Sequence, residues 1–224
     1  MIIAIDGPAG TGKGTVAKMI SKRLGYTYID TGAMYRCITL KMLRENIKLE
    51  EKDKIVDLLS KIEISFKNIN DEQHVFLDYE DVSELIRRQN VNEMVSPVSA
   101  IRIIREKMVD LQRKLGNAGN VVMEGRDITT VVFPNAEVKI YLDAELKIRA
   151  KRRFDELIQK GNDVTYEEIL ESVRKRDKND MEKEYGALKV ADDATIIDTT
   201  NLTPEEVYEK IRLIIEKNKC DNKY

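Results

Sequence analysis

The chain has no tryptophan, one histidine, two cysteines and four prolines. Each scarcity removes a class of chemistry. With His74 the sole histidine, a histidine-based triad and a His-rich zinc site are excluded. His74 sits in a charged stretch and is assigned no role. Cys37 and Cys220 lie far apart without metal-ligand spacing and read as reduced thiols. No run of about 18 apolar residues is present, so no membrane-spanning helix is expected. The first apolar run is too short, and too soon interrupted by Asp6, to be a secretory signal. Lys and Arg number 38 against 40 Asp and Glu, a formal charge of −2 that excludes a globally basic nucleic-acid binder. Anions must then be gripped by locally placed cations. The expectation is a soluble, cytoplasmic, monomeric protein without membrane or nucleic-acid partners. The length of 224 residues suits one domain with insertions.

What is present is concentrated first at the N-terminus. The run Ile2-Ile3-Ala4-Ile5 leads directly into Gly7-Pro8-Ala9-Gly10-Thr11-Gly12-Lys13-Gly14-Thr15. A buried strand, a glycine-rich turn and then a helix is the setting of a phosphate-binding loop. Such a loop turns consecutive backbone N–H groups inward, and the helix adds its unpaired N–H groups and positive dipole end. Lys13 supplies a mobile charge for the β and γ phosphates, and Thr15 a hydroxyl for the Mg²⁺ shell. All nine residues from Gly7 to Thr15 are therefore expected to bind ATP. The residue after Lys13 is Gly14, so the hydroxyl comes one place later than in the general pattern.

Apolar runs alternate with helical patterns along the chain. Strands are expected at Ile2–Ile5, Tyr26–Ile29, Val121–Met123, Val138–Leu142 and Thr195–Ile197. Thr203-Pro204-Glu205-Glu206 and Thr165-Tyr166-Glu167-Glu168 are capping boxes that open helices. Ser96-Pro97 reads as the start of a long helix running to about Leu115. This alternation predicts an α/β fold: a parallel sheet of about five strands flanked by helices, with ligands at the carboxyl ends of the strands. Ile62–Phe66 and Val75–Leu77, separated by the polar stretch Asn68 to Gln73, interrupt it as a small antiparallel β insertion. Cys220 to Tyr224 read as a frayed tail.

Three constellations carry chemistry. Asp30-Thr31-Gly32-Ala33-Met34-Tyr35-Arg36 follows the second strand and can grip a second anion, although Thr31 alone suits a helix cap. Val121-Val122-Met123-Glu124-Gly125-Arg126-Asp127 ends a strand beside the loop. There Glu124 can hold Mg²⁺ or its waters, Arg126 suits phosphate and Asp127 can accept from an exocyclic amine. The bland alternative for Arg126 and Asp127 is a surface pair. The basic segments Arg149–Arg153 and Arg174–Lys183 are interspersed with acids, which favours solvated helix faces for most of them. Arg176, Asp180 and Lys183 share one face and can form a mobile lid that closes over phosphates.

Assembled, these features resemble the bacterial cytidylate kinases, P-loop nucleoside monophosphate kinases, nearly end to end. The resemblance takes in Gly7–Thr15, Asp30–Arg36, Asp81–Arg87, Ser96–Arg105, Gly125–Asp127, Val131–Pro134 and Ala191–Ala194. It implies a single kinase domain made of a core (about 1–30, 90–155 and 188–219), a monophosphate-binding region with the β insert (31–89) and a helical lid (156–187). It implies ATP-dependent, Mg²⁺-assisted phosphorylation of CMP and dCMP in pyrimidine nucleotide metabolism. Ser96, Arg105 and Asp127 would read the cytosine ring, and Arg36 and Arg126 would hold the monophosphate beside Thr31. Arg176 and Asp180 would contact the ribose, with Lys13, Arg126, Arg176 and Lys183 catalytic. Where the family usually has glycine this chain has Thr129, a side chain expected to strain the turn. A lid arginine appears as Lys183, and a proline as Ala187. The alternatives are a kinase of another small acceptor and a nucleotide-binding regulatory protein with impaired transfer.

Overall fold

Four branched or small apolar residues in succession make the first strand a buried one, because a parallel sheet covered on both faces has no polar side to present. In the computed structural model, which describes residues 1–70 and 72–221, β1 (Ile2–Asp6) is the middle strand of a five-stranded parallel sheet. The other strands are β2 (Thr27–Asp30), β6 (Val121–Gly125), β7 (Val138–Asp143) and β8 (Thr195–Asp198), in the order β2-β6-β1-β7-β8. The register sets Ile5 beside Glu124 and Asp6 beside both Gly125 and Tyr141. Each strand thus ends at the same edge, where its following loop emerges.

The chain divides into two compact units, Met1–Tyr28 with Gly116–Tyr224 and Ile29–Leu115. The second unit takes in residues 90–115. In the first unit α1 (Lys13–Leu24) and α8 (Pro204–Asp221) pack on the sheet. Val16, Ile20, Val207 and Ile211 join Ile3, Ile5, Ile140 and Leu142 in one buried cluster. Helices α6 (Leu146–Gln159) and α7 (Tyr166–Glu182) pack against each other. The ring of Phe154 meets that of Tyr166 edge-on at 6.2 Å. Both capping boxes form: Thr165 and Glu168, like Thr203 and Glu206, exchange side-chain-to-backbone bonds.

The second unit contains α2 (Thr31–Arg44), α3 (Lys52–Lys61), β3 (Ile64–Ile69), β4 (Glu72–Leu77) and β5 (Glu80–Asp81). After a 3₁₀ turn come α4 (Gln89–Ala100) and α5 (Arg102–Gly116). The three strands form the expected antiparallel insert, but β3 and β4 extend well into the polar stretch. A backbone ladder needs no apolar side chains, and Asn70 supplies the positive φ (50°) at its tip. Asp71 lies outside the described residues, as do Asn222 to Tyr224 of the expected tail; Cys220 and Asp221 continue α8. Ser96-Pro97 does not open a helix. It lies inside α4, and the break comes at Ile101, which is extended. Among the described residues no helix is long and apolar enough to cross a membrane.

Candidate functional site

The loop between β1 and α1 leaves the sheet at Gly7, whose φ of +148° and position leave no room for a side chain. A Cβ there would lie 2.0 Å from the Leu142 carbonyl oxygen. The loop carbonyls are then pinned from outside. Arg149, buried on α6, donates to Ala9 O (3.1 Å), and Thr199, after β8, places its hydroxyl 3.1 Å from Thr11 O. In a planar trans peptide the next residue's N–H points opposite to its carbonyl, so Gly10 and Gly12 N–H face away from these two anchors. Lys13, only 5% exposed, folds back so that Nζ donates to Pro8 O at 2.7 Å. Burial, reinforced by the charge of Arg126, pushes this ammonium down to about 7.

Glu124 stands at the end of β6, where the Tyr28 hydroxyl donates to its Oε1 at 2.7 Å. A Cβ on Gly14 would sit 2.7 Å from that same oxygen. The glycine after Lys13 therefore lets a carboxylate reach the first turn of α1. Thr15, the next residue, is exposed.

Beyond Glu124 the chain makes one π-helical turn, Ile128–Val132, closed by Phe133 N–H donating to Ile128 O at 2.7 Å. Its two leading N–H groups are not bonded by the Asp127 side chain at its start. They donate instead to the fully buried Asp6 carboxylate, Ile128 N at 3.0 Å and Thr129 N at 2.7 Å. The Thr129 hydroxyl adds a third bond at 2.6 Å. The strain expected at Thr129 is not found: its φ is not in the left-handed region, and its side chain is hydrogen-bonded.

Arg126 Nε donates to Asp180 Oδ2 at 2.8 Å, and Lys183 Nζ to Asp180 Oδ1 at 2.8 Å. Arg176 Nε lies 4.0 Å from the same carboxylate. Burial acts to raise the Asp180 carboxyl, but the three cations outweigh it and hold it well below the usual carboxylate range. Arg176, Asp180 and Lys183, expected from sequence to form a lid, thus do gather, joined by Arg126. The solvated-face reading holds for pairs such as Arg174–Glu171 and Lys151–Asp155. It fails for Arg149 and Asp177, buried and paired at 2.6 Å, and for Asp180. Sequence spacing gives no sign of which charged residue in such a run turns inward.

In the second unit Asp30, not Thr31, caps α2, accepting from Ala33 N at 2.9 Å; Thr31 is the first helical residue and is buried. A carboxylate one residue earlier reaches the free N–H groups and takes the cap. Arg36 Nε donates to Asn92 Oδ1 at 3.3 Å. Arg105, buried, lies over the Tyr35 ring at 5.4 Å and donates to Ser99 O at 3.1 Å, satisfying a carbonyl left over at the end of α4. Ser96 is half-buried on α4, its carbonyl accepting from the Ser99 hydroxyl. Tyr35 and Ser99 lie within stretches that the sequence singles out but were given no role there, Asn92 carries no motif, and the only signal at Asp6 is a carboxylate ending an apolar strand.

The chain matches the cytidylate kinase family over residues 3–217. It is 54% identical over 216 residues to the cytidylate kinase of Caldanaerobacter subterraneus subsp. tengcongensis, covering 96% of this chain and 95% of that protein. It is 48% identical over 215 residues to the cytidylate kinase of Bacillus subtilis, covering 96% of each. The crystal structure of an uncharacterised protein from Eubacterium ventriosum ATCC 27560 shares the fold, with a TM-score of 0.52 at 15% identity over 97% of this chain and 98% of that one. Near-complete coverage and identity around one half leave one assignment: the chain belongs to the cytidylate kinase family.

Proposed function

We propose that this chain transfers the γ-phosphoryl group of ATP to the 5′-phosphate of CMP and dCMP, yielding ADP with CDP or dCDP. The observation that carries the proposal is family membership over residues 3–217. The acceptor is already an anionic phosphate near neutral pH, its second pKa being about 6. No general base is needed, in keeping with a chain whose one histidine is paired with Asp81 on the β insert. Transfer reduces to alignment and charge neutralisation.

Lys13 would move its ammonium from Pro8 O to the β and γ phosphates as the loop N–H groups take up the polyphosphate. Magnesium fits the donors at hand. Glu124 offers a carboxylate at the first turn of α1 and Thr15 an exposed hydroxyl. No larger His/Cys/Asp/Glu cluster occurs among the described residues. This suits an ion that takes one or two carboxylates and completes its shell with water and phosphate oxygens. When bound, the ion supplies positive charge to the phosphates.

On the acceptor side, Asp127 would accept from cytosine N4, Arg105 would donate to N3 and O2, and the Ser96 hydroxyl would complete the edge. Arg36 and Arg126 would hold the monophosphate next to Thr31. Arg176 and Asp180 would take the ribose, and Lys183 would meet phosphate once it is exchanged for Asp180. Uracil reverses two of the three base contacts and would leave buried groups unpaired, at about 1–3 kcal/mol each.

A coupled ADP assay across CMP, dCMP, UMP, AMP and shikimate tests this reading. Turnover with CMP and dCMP is expected well above the others. A preference for UMP contradicts the base assignment, and no ADP with any acceptor contradicts transfer itself. Lys13→Ala is expected to lower turnover by more than about a hundredfold, with the circular dichroism spectrum unchanged.

A further inference from the structure

The Arg126–Asp127 corner poses a capping problem. An aspartate at the start of a helical turn ordinarily accepts from that turn's free N–H groups. Asp127 occupies that position and makes no such bond. The N–H groups of Ile128 and Thr129 go instead to Asp6, at 3.0 and 2.7 Å, and Thr129 Oγ1 adds a bond of 2.6 Å to the same carboxylate. Asp6 is fully buried at the end of β1, the strand that continues into Gly7 and the phosphate loop. One carboxylate therefore anchors the acceptor turn to the strand that carries the donor loop.

We propose that Asp6, together with the Thr129 hydroxyl, is a positioning pair for CMP. By taking the N–H groups of the turn it keeps the Asp127 carboxylate off its own backbone and holds Arg126 and Asp127 in the orientation that binds the acceptor. The inference rests on the reading of Asp127 as a base-contacting residue. Neither Asp6 nor Thr129 touches substrate; both act through the turn. Burial, only partly offset by the bonds from Thr129, pushes the Asp6 carboxyl up to about 6. The hydroxyl thus favours the ionised form that accepts all three bonds.

Steady-state kinetics of the full chain separate positioning from packing. Thr129→Val removes the hydroxyl at nearly constant volume. It is expected to raise KM for CMP by about tenfold, with KM for ATP within about twofold of the parent. Thr129→Ser retains the hydroxyl and is expected to restore KM for CMP to within about twofold. Thr129→Ala, which adds no methyl group against Asp6, carries the same expectation as Thr129→Val should the latter fold poorly. An unchanged KM for CMP in both hydroxyl-free variants overturns the proposal. So does an equal rise in both KM values, or a Thr129→Ser variant as impaired as Thr129→Val. Asp127→Ala, assayed alongside, distinguishes the two layers. If it leaves KM for CMP unchanged, the base-contact reading fails. If it raises KM while the Thr129 variants do not, the positioning pair alone fails.

Discussion

A Cβ at position 14 would sit 2.7 Å from Glu124 Oε1, so a side chain there would push this carboxylate away from the first turn of α1. The carboxylate is the group there that would suit a hydrated divalent ion, while the start of the helix and the Lys13 ammonium suit phosphate. At Asp6 the balance runs the other way. Burial raises the carboxyl from 3.8 to about 6, more than the bonds from Thr129 and Ile128 lower it, and the charge of Asp127 adds to the rise. The folded chain therefore holds this proton more tightly than the unfolded one. The stability tied to it is fully present below about pH 3.8 and is lost as pH rises through about 6, a change of roughly 3 kcal/mol. Urea titrations of the parent and Asp6→Asn between pH 4 and 7.5 should show the parent losing ground to the variant as pH rises. A difference independent of pH would contradict the assignment. Neither effect was legible in the sequence. Gly14 stood out there only as a departure from a pattern, and Asp6 only as the end of a hydrophobic run. Partners more than a hundred residues away give each its role.

At the scale of elements, α7 shows what periodicity can and cannot supply. The spacing of Arg176, Asp180 and Lys183 placed them on one face, and they do meet at the Asp180 carboxylate, although α7 ends at Glu182 and Lys183 follows it in extended backbone. That Arg126 from the end of β6 joins them, and that Asp180 is only 4% exposed, follows from how α7 packs. The same packing leads Arg149 to link Ala9 of the loop to Asp177 of α7, a direct connection between loop and helix. Lys183→Arg offers a fork able to hold a phosphate bidentately. Its kcat is expected to equal or exceed that of the parent, measured at saturating ATP and CMP. A clear fall would show that position 183 does not reach phosphate. The division of the expected long helix into α4 and α5 is another tertiary outcome. Pro97 is accommodated inside α4. The chain turns at Ile101, and Arg105 reaches back to donate to the Ser99 carbonyl.

For the molecule as a whole, the sheet is what brings distant residues to one edge. The centre of β1 is the place to test it. Ile5 is wholly buried between β6 and β7, so Ile5→Ala should cost about 2–5 kcal/mol in urea denaturation. A loss under about 1 kcal/mol would be incompatible with a central, close-packed strand. The sequence by itself determined the strand-loop-helix of the phosphate loop, the alternation that builds a parallel sheet, the β insert and the family. These rest on short-range patterns of glycine, charge and hydrophobic period, which a linear chain displays directly. Only the tertiary structure decided which carboxylates are buried, that Asp6 and not Asp127 accepts from the leading N–H groups of the Ile128–Val132 turn, that Asp30 and not Thr31 caps α2, and that three cations converge on Asp180. Those outcomes depend on desolvation and on hydrogen bonds between residues far apart in the chain. Their energies exist only once the strands and helices have packed.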